Sequence, residues 1–308
     1  MTYFDRQGAS VCLDRKLANG GEGEIFEMAA KPHELAKIYR HASASMPHLQ
    51  PEKLGRMSAC AELGEHPRFA WPRRLLFTSN GTLGGFVMRR APGNSLVPLS
   101  AQGMRERSFP GWTKIHLCRV VHDIAAGCEF LSQRGVLLGD VSLTNFLVDP
   151  VEAAVTFIDC DSYQVTAGDR CFPCSVYTPD FLPPELLLMT GAKPVLAAEQ
   201  VHFSVAVLFF MIFTAGGHPY SIVNGSSPVE NILAGRHFMG GKGVATGCTT
   251  EAIWNRYRNL SRWIMKLFKR AFIDGHSNPA QRPTFREWAD AALDYAEKLR
   301  AARFATIC

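Results

Sequence analysis

Two short segments, separated by a predicted β-hairpin, carry the side chains best suited to chemistry. The first is Gly139-Asp140-Val141-Ser142-Leu143-Thr144-Asn145, before one strand, and the second is Phe157-Ile158-Asp159-Cys160-Asp161, at the end of the next. Asn145 and Asp159 offer the hard oxygen ligands that Mg²⁺ prefers and shares with phosphates. Asp140 could then orient an attacking hydroxyl or accept its proton. The alternative is that Asp149-Pro150 is simply a turn and the acids decorate loops.

A glycine cluster and a lysine near the N-terminus fit the same chemistry. The cluster is Asn19-Gly20-Gly21-Glu22-Gly23-Glu24-Ile25-Phe26. Glycines let backbone amides approach phosphate oxygens, although such a cluster is often an ordinary turn. Lys37 lies in the apolar run 35–39, where an unpaired ammonium is costly to bury. It either lies over nucleotide phosphates, held by a carboxylate of the following helix, or extends from an edge strand to water.

The hydrophobic pattern divides the chain into a strand-rich part and a helical part. Strands are predicted near 11–17, 24–28, 35–39, 75–79 and 86–88, with one helix at 51–63 and a hairpin turn at Asn80-Gly81. The break at Ala91-Pro92-Gly93 predicts an N-lobe at 1–92 and a C-lobe at 93–308. Helices are predicted near 115–131, 201–215 and 260–271, and a capping box of Thr284 and Glu287 predicts a final one.

Composition narrows the class of protein. The 308 residues are 47% hydrophobic and 20% charged, which is globular and excludes disordered or collagen-like chains. The longest apolar run, 201–215, is too short to span a membrane, and the first ten residues contain no apolar signal segment. Nine cysteines, an odd number, favour reduced thiols in the cytoplasm. The net charge is +5, but no stretch interleaves aromatic residues with basic ones, so we expect no nucleic-acid groove.

Taken in order, these segments resemble the signature motifs of protein kinases. Two later motifs strengthen the resemblance: Y-T-P-D-F-L-P-P-E at 177–185 resembles the end of an activation loop, and N-P-A-Q-R-P-T at 278–284 resembles a late Arg-Pro-Thr element. The resemblance covers about residues 11–300. It implies an α+β fold of two lobes, with a small β-rich N-lobe and a larger, mainly helical C-lobe. It also implies an ion pair between Glu185 and Arg282.

The resemblance implies ATP and Mg²⁺ as cofactors and phosphoryl transfer to Ser or Thr hydroxyls of a protein substrate. Carried over by position, the catalytic residues are Asp140, Lys37 and Thr178, and the metal ligands are Asn145 and Asp159. The nucleotide-binding residues are Gly20, Gly21, Gly23, Ile25, Lys37, Glu52, Met88 and Ala91. Glu52 is preferred over Glu62 as the partner of Lys37. Asp161 either binds a second metal or makes a local hydrogen bond, and Thr178 should hydrogen-bond Asp140.

Several positions depart from the kinase pattern. The His-Arg-Asp motif is Leu138-Gly139-Asp140 here, so the arginine that grips an activation-loop phosphate is absent. Asp159-Cys160-Asp161 replaces Asp-Phe-Gly. This pattern is similar to a divergent group of bacterial eukaryotic-like serine/threonine kinases, some associated with stress or tellurite-resistance genes, which implies a phosphatase or a von Willebrand A-domain protein as partner. The alternatives are a weak pseudokinase or nucleotide-binding scaffold, and a small-molecule kinase, against which Glu185 and Arg282 argue.

Overall fold

The computed structural model describes residues 2–29, 31–40, 51–174, 176–190, 195–221, 226–237, 239 and 250–302. Its strands are β1 Tyr3–Phe4, β2 Ser10–Val11, β3 Leu13–Asn19, β4 Gly23–Met28, β5 Glu34–Tyr39, β6 Arg74–Phe77, β7 Leu83–Arg89, β8 Asn94–Ser95, β9 Val136–Leu137, β10 Phe146–Val148, β11 Val155–Phe157, β12 Gln164–Ala167 and β13 Arg170–Phe172. Its helices are α1 Pro51–Ala59, α2 Ala61–Glu65, α3 Gln102–Ser108, α4 Lys114–Ser132, α5 Pro184–Leu187, α6 Ala198–Thr214, α7 Pro228–Leu233, α8 Glu251–Arg258, α9 Arg262–Lys269, α10 Gly275–Ser277 and α11 Phe285–Ala301.

The N-terminal part is built on one antiparallel sheet of seven strands, in the order β2-β1-β6-β7-β5-β4-β3. Its five predicted strands are present, with small changes at their ends. The predicted hairpin between β6 and β7 is present, and Gly81 has a positive φ of 78° in its turn, although the loop is longer than two residues and is closed by the Thr78 amide, which donates to the Thr82 carbonyl at 2.8 Å. Strand β5 lies between β4 and β7, and Lys37 is therefore opposite Ile25 on one side and Phe86 on the other. The edge-strand alternative for Lys37 is wrong.

The predicted helix at 51–63 is two helices. Helix α1 ends at Ala59, and α2 begins at Ala61 after Cys60, whose φ of −82° and ψ of 86° are not helical. Helix α1 buries Lys53, Leu54 and Met57. The break matters for the site, because it separates the orientation of Glu62 from that of Glu52.

The C-terminal part packs helices around the apolar helix α6. Most of the 17 residues of α6 are buried, as expected for a helix that is hydrophobic on all sides. Trp288 of α11 packs edge-to-face on Phe209 of α6 with ring centroids 5.4 Å apart, and it also contacts Phe268 of α9. The predicted capping box is confirmed, since the Thr284 amide donates to Glu287 and the Glu287 amide donates to Thr284.

Two small sheets carry the loops of the predicted site. One has the order β11-β10-β8 and the other β13-β12-β9. The β10–β11 hairpin pairs Phe146 with Phe157, so the segment before β10 and the segment after β11 emerge at the same end. With the curled sheet before it and the helices after it, the chain has the two-lobed α+β fold that the motifs imply.

Within the described residues, the structure holds no helix whose length and apolar character would allow it to cross a bilayer.

The predicted ion pair between Glu185 and Arg282 is confirmed. The two guanidinium terminal nitrogens donate to the two Glu185 carboxylate oxygens at 2.7 and 2.9 Å, although the residues are 97 positions apart. The Arg282 side chain has no exposed surface, and it also donates to the carbonyls of Gly275 and Glu199 at 2.7 and 3.0 Å. The pair therefore joins α5, the start of α6 and the turn before α11.

Helix α6 also buries an ionisable imidazole. His202 is 8% exposed and lies edge-to-face on Phe285, with ring centroids 4.4 Å apart. Its Nδ1 is buried and has no hydrogen-bond partner among the described residues. Burial, opposed by Glu199 and Glu287 and reinforced by Arg282, lowers the pKa of His202 to about 4. The folded protein therefore favours the neutral imidazole.

We predict that Glu185→Gln destabilises the fold by about 3 kcal/mol, because it leaves a buried guanidinium without its counter-charge. The effect should lie at the low end of the range for buried pairs, because two carbonyls still accept from Arg282 and the Glu185 side chain is 33% exposed. Urea unfolding measures the change. The matched control is Asp294→Asn, which removes the exposed Lys298 pair and should cost less than about 1 kcal/mol. Equal effects of the two changes would contradict this prediction.

A second prediction concerns acid stability. A histidine with a lowered folded-state pKa contributes stability above its ordinary pKa, and this is lost as the pH falls toward the folded value. Between pH 6.5 and 4, His202 should remove about 3 kcal/mol of stability, since each pKa unit corresponds to about 1.4 kcal/mol. We therefore expect His202→Leu to lose less stability than the wild type over this interval.

Urea unfolding at a series of pH values checks the acid-stability prediction. Substituting the exposed His33 with Gln provides the control and should leave the wild-type pH profile unchanged. Parallel profiles for the wild type and His202→Leu would show that His202 does not drive the loss.

Candidate functional site

The predicted nucleotide residues surround a cavity between the sheet and the loops of the C-terminal part. Its volume is about 870 Å³. Its lining includes most of the predicted residues, namely Gly20, Gly21, Gly23, Ile25, Lys37, Met88, Ala91, Asn145 and Asp159. Glu52 does not line it. The cavity has a glycine turn on one side and acidic side chains on another, and its apolar wall includes Leu17 and Leu147.

The glycine segment forms the turn between β3 and β4. The amide of Gly20 donates to the carbonyl of Gly23 at 2.9 Å and closes the turn. A Cβ at Gly23 would lie 2.5 Å from the Ile38 carbonyl oxygen, so only glycine allows β4 to pack this closely on β5. At Gly21 a Cβ would meet nothing within 4 Å. The turn therefore leaves open space beside its backbone, as phosphate binding by amides requires.

Lys37 is buried and surrounded by carboxylates. Its ammonium donates to Asp159 Oδ1 at 2.6 Å and to both oxygens of Asp161 at 2.8 and 2.9 Å. Glu22 of the glycine turn lies 3.8 Å from it. Burial alone would lower the pKa of Lys37, but Asp161 and Asp159 outweigh it and raise this pKa above its ordinary value. Lys37 is therefore a fixed positive charge at the cavity wall.

The predicted pairing of Lys37 with Glu52 is wrong for this structure. Glu52 instead forms ion pairs with Arg170 and, at 3.9 Å, with Arg56. The physical reason is helix phase: Glu52 is about 160° around α1 from the buried Leu54, since each residue turns about 100°. The rival, Glu62, belongs to α2 and ion-pairs with Arg134 at 2.5 Å.

The predicted catalytic residues form a hydrogen-bonded group. Thr178 Oγ1 donates to Asp140 Oδ1 at 2.6 Å, and this predicted hydrogen bond is present. The Asn145 amide donates to the carbonyl oxygen and to Oδ2 of Asp140 at 2.8 and 3.0 Å. Asp140 is therefore held on both carboxylate oxygens by side chains from two different segments.

The β10–β11 hairpin brings the two predicted metal ligands to one place. The Ile158 amide donates to the Asn145 carbonyl at 3.0 Å, so Asp159 follows directly beside Asn145. Asp159 has a left-handed backbone, with φ 59° and ψ 35°, and its side chain is 36% exposed. Burial and the neighbouring Asp161 raise the pKa of Asp159, against the lowering effect of Lys37.

Carboxylate oxygens converge beside this pair. Ligand atoms of Glu22, Asp159 and Asp161 lie within 4.8 Å of one another. Hard oxygen donors at the wall of this cavity fit the requirements of Mg²⁺, which keeps few protein ligands and shares phosphate oxygens. Of these three, Asp161 is enclosed and both of its oxygens already accept from Lys37, whereas Asp159 is the most exposed. The chemistry of the donors fits Mg²⁺, and Asp159, with Asn145 beside it, would hold the ion.

Sequence reasoning missed two residues of the site, Lys53 and Tyr39. Lys53 of α1 is 3% exposed, and its ammonium donates to the Asp161 carbonyl at 2.8 Å. Burial lowers the pKa of Lys53, while Asp161 opposes this shift. The Tyr39 hydroxyl donates to Asp161 Oδ2 at 2.8 Å. The neighbouring Leu54 and Met57 mark the buried face of α1, and this pattern could have identified Lys53 as inward-facing.

Gly139 shows why the usual arginine is absent. A Cβ at this position would lie 1.8 Å from the Cys174 sulfur, so a larger residue would displace the segment that carries Cys174. Cys174 is fully buried, and its sulfur donates to the Val176 carbonyl at 3.0 Å. Tyr177 donates to the Cys174 carbonyl at 2.9 Å. The segment before Thr178 is thus packed on the catalytic loop through Cys174.

Comparison with known proteins identifies two curated relatives. Protein kinase YegI of Escherichia coli O157:H7 is 28% identical over 303 residues, which cover 95% of this chain and 46% of the relative. Protein kinase YegI of Escherichia coli K12 is 30% identical over 299 residues, which cover 94% of this chain and 45% of the relative. No family model matches the chain.

The chain therefore spans about half the length of the curated relatives it matches. The similarity extends over nearly all of its own residues. The same residues build a two-lobed α+β fold around one cleft. In sequence, the chain is similar to these two bacterial protein kinases, and its two-lobed α+β fold agrees with that similarity.

Proposed function

We propose that the chain transfers the γ-phosphoryl group of ATP to a Ser or Thr hydroxyl of a protein substrate. The observation that carries this proposal is the contact between Thr178 Oγ1 and Asp140 Oδ1, 2.6 Å long, at the catalytic loop. A carboxylate accepts about four hydrogen bonds, so Asp140 can accept from a substrate hydroxyl while Thr178 and Asn145 hold it. The relatives' printed name, protein kinase, supports a protein as the acceptor.

The cavity supports ATP as the phosphoryl donor. The open turn at Gly20 and Gly21 can place backbone amides over phosphates, and Lys37 adds a fixed positive charge beside them. The adenine would lie against the wall near Met88 and Ala91. A volume of about 870 Å³ is ample for a nucleotide, given that small-molecule sites measure about 300–1,000 Å³.

Phosphoryl transfer depends mostly on positioning and charge stabilisation, and the site residues supply both. Asn145 and Asp159 would hold Mg²⁺, which neutralises negative charge on the phosphates when bound. Asp140 orients the acceptor hydroxyl and receives its proton. Thr178 and Asn145 fix the Asp140 carboxylate, so it loses little rotational freedom when the substrate arrives.

Two expectations on partners accompany this proposal. ATP and a protein that carries Ser or Thr are the partners that the chemistry requires. A phosphatase or a von Willebrand A-domain protein as partner stays a prediction from the resemblance, as does a cytoplasmic location.

The first test of function is transfer from labelled ATP with Mg²⁺ to a protein acceptor or to the chain itself. We predict that Asp140→Asn lowers the rate by at least about 100-fold, because it removes the base that receives the hydroxyl proton. Asp169→Asn, an exposed change in the β12–β13 turn, is the matched control and should keep the wild-type rate. Thr178→Val should be severely impaired and Thr178→Ser active.

Other outcomes of the transfer assay separate the alternatives. Wild-type protein that binds ATP without transferring phosphate would indicate a nucleotide-binding scaffold. Label that appears on a small alcohol or amine, but not on protein, would indicate a small-molecule kinase. Equal rates for the wild type and Asp140→Asn would contradict the proposed role of Asp140.

A second prediction concerns nucleotide binding. Mg-ATP at about 100 times its Kd should raise the melting temperature by roughly 5 °C, because a ligand that binds the folded state stabilises it by mass action. Asp159→Asn should remove most of the difference between ATP with Mg²⁺ and ATP with EDTA. An unchanged melting temperature of the wild type at millimolar Mg-ATP would contradict the assignment of the cavity to a nucleotide.

A further inference from the structure

The helical segment after Lys37 supplies no carboxylate to it. Between Lys37 and Arg73 the sequence contains three acidic residues, and 41–50 contains none. Each of the three ion-pairs with an arginine elsewhere: Glu52 with Arg170, Glu62 with Arg134, and Glu65 with Arg73 and Arg89. The carboxylate that holds Lys37 must therefore come from another part of the chain.

Asp161 fulfils this requirement. Both of its oxygens accept from the Lys37 ammonium, at 2.8 and 2.9 Å, and Oδ2 also accepts from Tyr39. The Asp161 side chain is 1% exposed, whereas the Asp159 side chain is 36% exposed. Asp159 is thus accessible to a ligand in the cavity, while the Asp161 carboxylate is enclosed by the strand that carries Lys37 and Tyr39. This difference favours metal binding by Asp159 and a positioning role for Asp161.

Helix α1 contacts Asp161 through a lysine. The buried Lys53 ammonium donates to the Asp161 backbone carbonyl at 2.8 Å. A buried ammonium needs an acceptor, since burial without one is costly. On the surface, Glu52 of the same helix pairs with Arg170 of β13. The Glu52–Arg170 pair is exposed on both sides and contributes little, so helix α1 is attached to the segment after the metal loop mainly through the buried Lys53.

We propose that Asp161 is the positioning residue that holds Lys37 for nucleotide phosphates, in place of a helix carboxylate, and that Lys53 fixes α1 to Asp161. The proposal rests on the proposed function for its consequence, which is ATP binding. Asp161, in the loop after β11, then contacts both strand β5 and helix α1 and connects the two elements. The position of α1 then affects Lys37 through Asp161, and Glu52 has no part in nucleotide binding.

The experiment compares two carboxylate-to-amide changes by calorimetric titration with Mg-ATP. Asp161→Asn should weaken the affinity by about tenfold or more, the effect of losing one hydrogen bond between charged groups. Glu52→Gln is the matched control and should stay within about twofold of the wild type. Equal losses in the two variants, or no loss in Asp161→Asn, would overturn the proposal.

A Lys37→Met background separates positioning from metal binding and from general structural damage. In this background Asp161→Asn and Lys53→Met should each change the affinity for Mg-ATP by less than about twofold, because both act through Lys37. In the wild-type background Lys53→Met should weaken binding severalfold. If Asp161→Asn still lowers the affinity for Mg-ATP tenfold in the Lys37→Met background, Asp161 binds the metal directly and the proposal is overturned.

A nucleotide-free cycle keeps this inference distinct from the proposed function. In urea unfolding, the double variant of Lys37→Met and Asp161→Asn should have an unfolding constant that differs by roughly fivefold or more from the product of the two single effects, as for contacting residues. Lys37→Met and Glu52→Gln should be multiplicative. If the wild type does not bind Mg-ATP but the Lys37–Asp161 cycle shows the expected coupling, only the proposed function is contradicted. A multiplicative Lys37–Asp161 cycle would overturn the inference.

Discussion

The burial of the Lys37 ammonium is the constraint on which the site depends. A charge in the middle of a sheet requires compensation, because desolvation costs several kcal/mol unless it is paired and hydrogen-bonded. Strand β5 lies between two other strands, so the ammonium cannot extend to water along the sheet edge. The loop after β11 meets the requirement with Asp159 and Asp161. The charge of one strand residue thus fixes the loop that carries the predicted metal ligand.

A second chain of contacts holds the catalytic loop. The β10–β11 hairpin places Asn145 beside Ile158, and Asn145 in turn donates to Asp140. Thr178 donates to the same carboxylate from the segment that leads into α5. Helix α5 is fixed by the bidentate contact of Glu185 with the fully buried Arg282. A series of contacts thus connects Asp140, through Thr178 and α5, with an ion pair in the helical part of the protein.

Much of this arrangement could be predicted from the sequence, because local patterns determine it. The Asn80-Gly81 turn, the Thr284 capping box and the β10–β11 hairpin each follow from a few adjacent residues. The long-range contact of Glu185 with Arg282 was predictable through the resemblance, as was that of Thr178 with Asp140. Neither follows from local propensity, since 97 and 38 residues separate the partners.

The partner of Lys37 was not predicted, for two physical reasons. Position along the chain does not show which carboxylate faces Lys37, because side-chain direction in a helix depends on phase, and Leu54 with Met57 places Glu52 on the opposite face. The break at Cys60 then turned Glu62 toward Arg134. The kinase resemblance predicts for Asp161 only metal binding or a local hydrogen bond. Its contact with Lys37 spans 124 residues and depends on how the sheet meets the loop.

The loop before α5 is also held by a contact between distant residues, that of Cys174 with Gly139. Kinases of the usual pattern have an arginine at the position of Gly139, and this arginine binds an activation-loop phosphate. In this chain the buried sulfur of Cys174 occupies the space that such a side chain would need. The Cys174 and Tyr177 contacts hold the loop without an added charge, and they lie directly before the threonine that donates to Asp140. Packing can thus place Thr178 in the unmodified protein. A phosphate on this loop would find no guanidinium at position 139 to order it further, because no side chain fits there.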